Sequence, residues 1–170
     1  MLDHIHNYGC VSTPDLSFVV LLSLLGPAVD EYVLSTLAGD GLTELRVSHG
    51  YVVQRLIDGP RSIGDIAGEL GITQQAVSKS VGQLVTAGYA ALSSDPADGR
   101  RRLVSLTDRG HTTVSRARAA RSDLTERLGR RVGAADLATA GRVASAVAEE
   151  LGVADDLRHR SVRPPREMSA

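Results

Sequence analysis

The stretch SIGDIAGELGITQQAVSK, residues 62–79, decides how the chain is organised. Ser62 is followed three residues later by Asp65, the hydroxyl-then-acid spacing of a capping box. Ile63, Ile66, Ala67 and Leu70 then recur at i, i+3, i+4 and i+7, which is one face of a short helix. Gly71 ends it, because the chain needs a residue tolerant of positive φ where it turns. Thr73 caps a second helix with Val77, Val81, Leu84 and Val85 on one side, and Gly88 stops that one. Two helices that cross closely need a small residue at the crossing and an apolar anchor on the second helix. Ala67 and Val77 supply them. The spacing predicts a helix-turn-helix, a rigid platform that presents its second helix to a DNA major groove.

Outward from this unit, residues 89–93 and 102–106 read as two short strands flanking the turn-rich loop Ser94-Asp95-Pro96-Ala97-Asp98-Gly99-Arg100. The pair is a long-looped hairpin, or wing. Before the unit, Asp15 to about Ala38 reads as a helix that is apolar nearly all round from Phe18 to Leu25, so it is expected to be buried in a core or against a partner chain. Gly26-Pro27 is expected to kink or break it. Thr43 is placed to cap a helix from Glu44 to Ile57. After the wing, Thr107 caps a long helix to about Arg130, and a last helix follows Gly133 from Ala135 to Leu151. The expected fold is mainly α with a small β wing: a winged helix-turn-helix flanked by N- and C-terminal dimerisation helices. The boundaries read as a loose arm over 1–14, helical dimerisation segments over 15–41 and 108–152, the winged domain over 42–107, and a disordered tail over 153–170.

The outward face of the second helix carries the chemistry. If Val77 points inward, Gln75, Ser78, Lys79, Gly82 and Thr86 point outward by the helical period. Thr73 and Gln74 lie at the N-terminus, whose free amides favour phosphate. Gln pairs with adenine through two bonds, Ser reaches several base edges, and Lys reaches guanine or phosphate. No acid occurs from Gly71 to Ser94, whereas an ordinary solvated face mixes acids with bases. On the wing, Arg100, Arg101 and Arg102 suit the negative potential of a narrow minor groove, and Asp98 is positioned to hold one of them. The candidate DNA contacts are Ser62, Thr73, Gln74, Gln75, Ser78, Lys79, Asp98, Arg100, Arg101 and Arg102. The alternative is a winged helix that serves as a protein-interaction module, its wing contacting an acidic partner.

Composition bounds these readings. The 170 residues are 42% hydrophobic and 23% charged, which suits a compact soluble domain with helical attachments. The net charge of −1 hides an uneven distribution: −5 over residues 1–58, +5 over 59–131 and −1 over 132–170. A basic middle beside an acidic front suggests a localised polyanion contact. Of the nineteen bases only Lys79 is lysine. The single cysteine, Cys10, excludes an internal disulfide and a multi-cysteine zinc knuckle. With no signal-peptide pattern, a reducing cytoplasmic setting at the nucleoid is expected. The apolar run from Phe18 to Leu25 falls short of the roughly 20 residues of a membrane span, so no membrane partner is expected. No catalytic constellation or phosphate-binding glycine loop stands out, and neither enzyme activity, cofactor nor metal is expected. His4, His6 and Cys10 on a loose arm would make a poor zinc site.

These residues, with Leu84, Gly88-Tyr89, the wing loop ending Asp98-Gly99-Arg100 and the run Leu106-Thr107-Asp108-Arg109-Gly110, resemble the MarR family of bacterial transcriptional regulators. The resemblance is close over about residues 42–110. It implies a homodimer with interlocked terminal helices, whose winged domains meet successive major grooves of a near-palindromic operator. The family often has two adjacent arginines after the wing aspartate. Here Gly99 takes the first position, which leaves Arg100 as the groove residue. The resemblance also implies a small aromatic acid as a possible effector, with Tyr32, Arg46, His49 and Tyr51 as candidate lining residues. The plainer reading of that set is a packed, satisfied His49 and a surface ion pair for Arg46. Some relatives sense peroxide through a cysteine at the position of Ser17, and here serine replaces the thiol.

Overall fold

The computed structural model describes residues 16–98 and 101–158. The arm 1–14, the wing residues Gly99 and Arg100, and the tail beyond Arg158 lie outside the described residues. The chain divides into two compact units, Met1–Tyr32 and Val33–Ala170.

Helix α1 spans Phe18–Gly39 without interruption, so Gly26-Pro27 does not end it. Proline removes one backbone donor, and the hydrogen bonds on either side carry the helix through. Phe18, Val19, Val20, Leu24 and Leu25 are all exposed. The helix is 22 residues long, and its most apolar 18-residue window has a mean hydropathy of 1.6, enough by length and composition to cross a bilayer. Counting only the run 18–25 missed this, because Gly26, Pro27, Ala28 and Val29 extend the apolar stretch.

Helix α2 spans Val47–Leu56, three residues later than its expected start at Glu44, and Arg46 is its N-cap with no side-chain capping bond. Thr43 therefore does not cap it. Glu44 has a φ of 65°, a left-handed conformation that a helix cannot contain, and the Thr43 carbonyl accepts from the Tyr89 hydroxyl at 2.8 Å.

Strand β1 is the two-residue Arg61–Ser62, followed by α3 (Ile63–Leu70), α4 (Gln74–Thr86), β2 (Ala90–Ser94) and β3 (Arg102–Leu106). The Ser62 hydroxyl accepts from Asp65 N at 3.1 Å and the Thr73 hydroxyl from Ala76 N at 3.2 Å, so both expected caps are made. Gly71 leaves α3 at φ 67°. The sheet is antiparallel with β3 central, pairing Arg61 with Val104 and Ala90 with Leu106. Sequence periodicity did not anticipate β1, since two residues cannot display an alternation. The core lies between α2, α3, α4 and the sheet, where Leu56, Ile66, Leu70, Val77, Val81, Leu84, Tyr89 and Val104 are at most 1% exposed. Each such aliphatic side chain contributes about 1.5–3 kcal/mol over its exposed state.

Helix α5 (Asp108–Val132) begins on the Thr107 cap and ends at Gly133, and α6 (Ala134–Glu150) follows. A short α7 (Ala154–Arg158) occupies the start of the segment expected to be a disordered tail. Asp155 and Asp156 in its first turn suit a helix N-terminus, a signal that a glance at the arginine- and proline-rich tail overlooks. Leu128, Val132, Val143 and Leu157 on these helices, and Leu151 and Val153 between α6 and α7, remain exposed.

Candidate nucleic-acid interface

Three buried residues fix the rotation of α4. Val77, Val81 and Leu84 are 0–1% exposed and face the core. The helical period then turns the opposite face outward, and Gln74, Gln75, Ser78, Lys79 and Gly82 are all exposed. Ala67, the small residue expected at the helix crossing, is buried on α3 at 4% exposure. Gln74 is drawn toward α3: its amide nitrogen lies 3.6 Å from where a Cβ on Gly64 would stand. Gln75, Ser78 and Lys79 form the outermost row, and α4 bears no acid to repel phosphate.

Ser62 is placed differently from the other candidates. It is 7% exposed, and its hydroxyl caps α3. Arg101 is also engaged within the chain. Its guanidinium donates to the Ser62 hydroxyl at 3.1 Å and to the Asp65 carboxylate at 3.1 and 3.4 Å. The expected holding group for a wing arginine was Asp98, three residues away. The Asp98 backbone carbonyl accepts from Arg101 N at 2.8 Å. Asp65 responds to these neighbours. A hydrogen bond from the Ser62 hydroxyl is the main cause that holds its carboxyl below the ordinary aspartate value; desolvation opposes it, and the Arg101 charge adds to the lowering. Arg102 is exposed at the base of β3, paired in register with Ser94. Arg100, the residue expected in the groove, lies outside the described residues.

The candidate effector residues are placed as follows. His49 is 2% exposed, and its Nε2 faces the Gln83 side-chain oxygen on α4 at 2.9 Å, which makes it a packed residue linking α2 to α4. Arg46 is exposed at the N-cap of α2, outside the helical face it was expected to share with His49. Tyr51 lines a cleft of about 30 Å³ with Ser48, Val52, Leu70, Ile72, Ala76 and Ser80, a set that includes none of the other three. That volume suits a water molecule rather than an aromatic acid. Tyr32 is half-buried on α1.

Two residues that the sequence reading did not single out make contacts between distant segments. Asp65 was visible as part of a capping box, but its second bond, to a residue 36 positions on, has no local signature. Arg109 was visible only as part of a motif. The structure sets it against Tyr89, with its guanidinium 4.7 Å from the ring centroid.

Comparison with known proteins agrees with this geometry. The model of the MarR family matches residues 42–101. The YusO protein of Bacillus subtilis shares the fold with a TM-score of 0.64 at 20% identity, over 82% of this chain and 99% of that one. The RV1404 protein of Mycobacterium tuberculosis gives 0.64 at 22% identity, over 82% and 97%. The reduced form of MarR from E. coli gives 0.63 at 18% identity, over 78% and 96%. No curated protein matches the sequence. Residues 42–101, with their Ser62 and Thr73 caps and exposed α4 face, match the MarR family model, and with β3 they form a winged helix-turn-helix like that of the similar structures.

Proposed function

We propose that the chain is a DNA-binding transcriptional regulator that acts as a homodimeric repressor on a near-palindromic operator at the nucleoid of the cytoplasm. The observation that carries this reading is the exposed, acid-free row Gln75, Ser78 and Lys79 on a helix whose rotation is locked by three buried residues. Such a face offers two-bond recognition of a base and a cation for phosphate or guanine, with nothing to repel the duplex. A wing anchored at its base by Arg101 supports it.

Homodimerisation accounts for the terminal helices. The exposed apolar side chains of α1, α5 and α6 require cover, and a second copy offers the same surfaces in return. A bilayer is a poorer cover for α1, because Asp30 and Glu31 lie within the helix and each carboxylate costs about 2.5–3.5 kcal/mol near a bilayer centre.

The test is selection of duplexes from the source genome, then affinity for the selected duplex at several salt concentrations. A preferred sequence is expected, with log affinity falling by about 0.9 per phosphate neutralised for each unit of log salt. Binding indifferent to sequence and salt would reject the reading and favour the acidic-protein partner.

A further inference from the structure

The chain enters the winged domain from α1 through Gly41, Leu42 and Thr43, and leaves it through Thr107 into α5. One guanidinium and one phenol connect both crossings. Arg109, in the first turn of α5, donates through Nη2 to the Gly41 carbonyl at 3.0 Å and to the Tyr89 hydroxyl at 3.2 Å. The Tyr89 hydroxyl in turn donates to the Thr43 carbonyl at 2.8 Å. Its single proton is thereby committed, and one lone pair is used by Arg109. The guanidinium also covers the Tyr89 ring.

Tyr89 is joined to the recognition helix as well. Its backbone N–H donates to the Leu84 carbonyl at the end of α4 at 2.8 Å, and its own carbonyl accepts from Thr107 N at 3.1 Å. The Thr107 hydroxyl donates to the Gly88 carbonyl at 2.7 Å. Gly110 completes the joint. A Cβ there would collide with the Tyr89 carbonyl oxygen, so only glycine lets the first turn of α5 lie this close. Further along α5, Arg116 pairs with Asp40 at 3.6 Å. A crossing between two rigid bodies ordinarily acts as a hinge, absorbing φ and ψ changes in a few residues. Here both crossings are tied to one buried residue, Tyr89, whose backbone is also bonded to the end of α4.

We propose that Arg109 and Tyr89 form a joint that fixes the angle between the winged domain and the interface helices, and so sets the half-site spacing the dimer accepts. The proposal rests on the homodimeric DNA-binding reading above. Arg109 and Tyr89 are positioning residues, since neither is placed on the α4 face that reads bases. In a two-fold dimer, a rotation at the joint changes the separation of the two α4 helices while leaving each helix intact. Affinity for one half-site is then insensitive to the joint, and the preference among spacings depends on it.

The experiment compares the wild-type protein with Tyr89→Phe and Arg109→Met. Phenylalanine keeps the buried ring and removes the hydroxyl. Methionine keeps an apolar stem at an exposed position and removes every donor, so this variant stays informative if Tyr89→Phe fails to fold. Duplexes carry either one half-site of the sequence selected by the wild type, or two at the preferred separation and at one base pair more or less. Half-site affinity is expected to stay within about twofold, while the preference for the native separation falls by about fivefold or more, within the usual range of site-to-site coupling. A second readout needs no DNA. Spin labels at Ser94→Cys, in a Cys10→Ser background, report the distance between the two wings of a dimer, and both variants should broaden it. An unchanged spacing preference with an unchanged distance distribution overturns the joint. So does an equal loss on single and paired half-sites, which would mark a purely structural role. Wild type that selects no duplex overturns the DNA-binding reading and the spacing proposal with it, while the distance measurement still shows whether the joint is stiff.

Discussion

Arg101, at the base of the wing, is tied to Asp65, in the first turn of α3, by a hydrogen-bonded ion pair at 3.1 Å that also takes in the Ser62 hydroxyl. The wing hairpin and the helix-turn-helix are thus joined at a point where neither is fully buried. Both side chains are 49% exposed, so solvent screens the pair and its effect on global stability is small. Its consequence is orientation, because the hairpin is held against α3 before any duplex arrives. Arg101→Ala is expected to weaken DNA binding by about 2- to 30-fold, the range for a residue that acts at a distance from the ligand. Thermal unfolding should barely move. A variant with normal affinity for the selected duplex would show that the tie does not position the wing.

The same pair responds to acid. The Asp65 carboxyl is held below its ordinary value of 3.8, chiefly by the Ser62 hydroxyl and then by Arg101. A depressed folded value means that the tie contributes at neutral pH and that this contribution is lost as pH falls below about 3.8, through the folded value. Carboxyl-carbon NMR titration should show the Asp65 midpoint rising in Ser62→Ala and, to a smaller extent, in Arg101→Ala. A midpoint unmoved by both substitutions would contradict the geometry.

Among the described glycines, Gly110 in the first turn of α5 is the one where an added Cβ comes nearest to other atoms. A methyl group there meets the Tyr89 carbonyl oxygen and the Leu106 side chain, so the backbone on one side must shift. Gly110→Ala should cost about 1–3 kcal/mol in urea unfolding, the usual range for overpacking. Gly68→Ala is the control, because nothing stands within 4 Å of its added methyl group. It should be neutral or slightly stabilising, as expected inside a helix.

On α4, Gln75→Ala and Ser78→Ala are expected to relax base preference at separate positions, by about 1–3 kcal/mol wherever the side chain made a good bidentate pair with a base. Lys79→Ala should weaken all duplexes alike and reduce the salt slope by about 0.9 if its partner is a phosphate. Binding profiles across single-base variants of the selected duplex separate the two behaviours.

For the dimer, sedimentation at low micromolar concentration should give twice the 17.9 kDa of one chain. Leu24→Glu together with Leu25→Glu places two carboxylates on the exposed stripe of α1 and should yield monomers or aggregates. Obligate interfaces typically bury more than about 2,000 Å² and do not tolerate unpaired charge at their centre. A double variant that sediments as an intact dimer would move the interface elsewhere.

Much of the winged domain was legible in the order of residues, because its signals are local. A hydroxyl three residues before an acid, apolar residues at helical spacing, and glycine where φ must be positive each act within one or two turns. They located α3, α4 and β3, the Ser62 and Thr73 caps, and the exposed row Gln75, Ser78 and Lys79. What acts over distance was not legible. The two residues of β1 acquire their identity only by pairing with Leu103 and Val104. The start of α2 shifted because Glu44 adopts a left-handed conformation while the Thr43 carbonyl is bonded to Tyr89, 46 positions away. The bond from the Arg101 side chain to Asp65 and that between His49 and Gln83 join residues 36 and 34 positions apart. A side chain's local spacing tells which face it occupies. Which partner it meets there depends on how separate elements are brought together, and only the tertiary structure decides that.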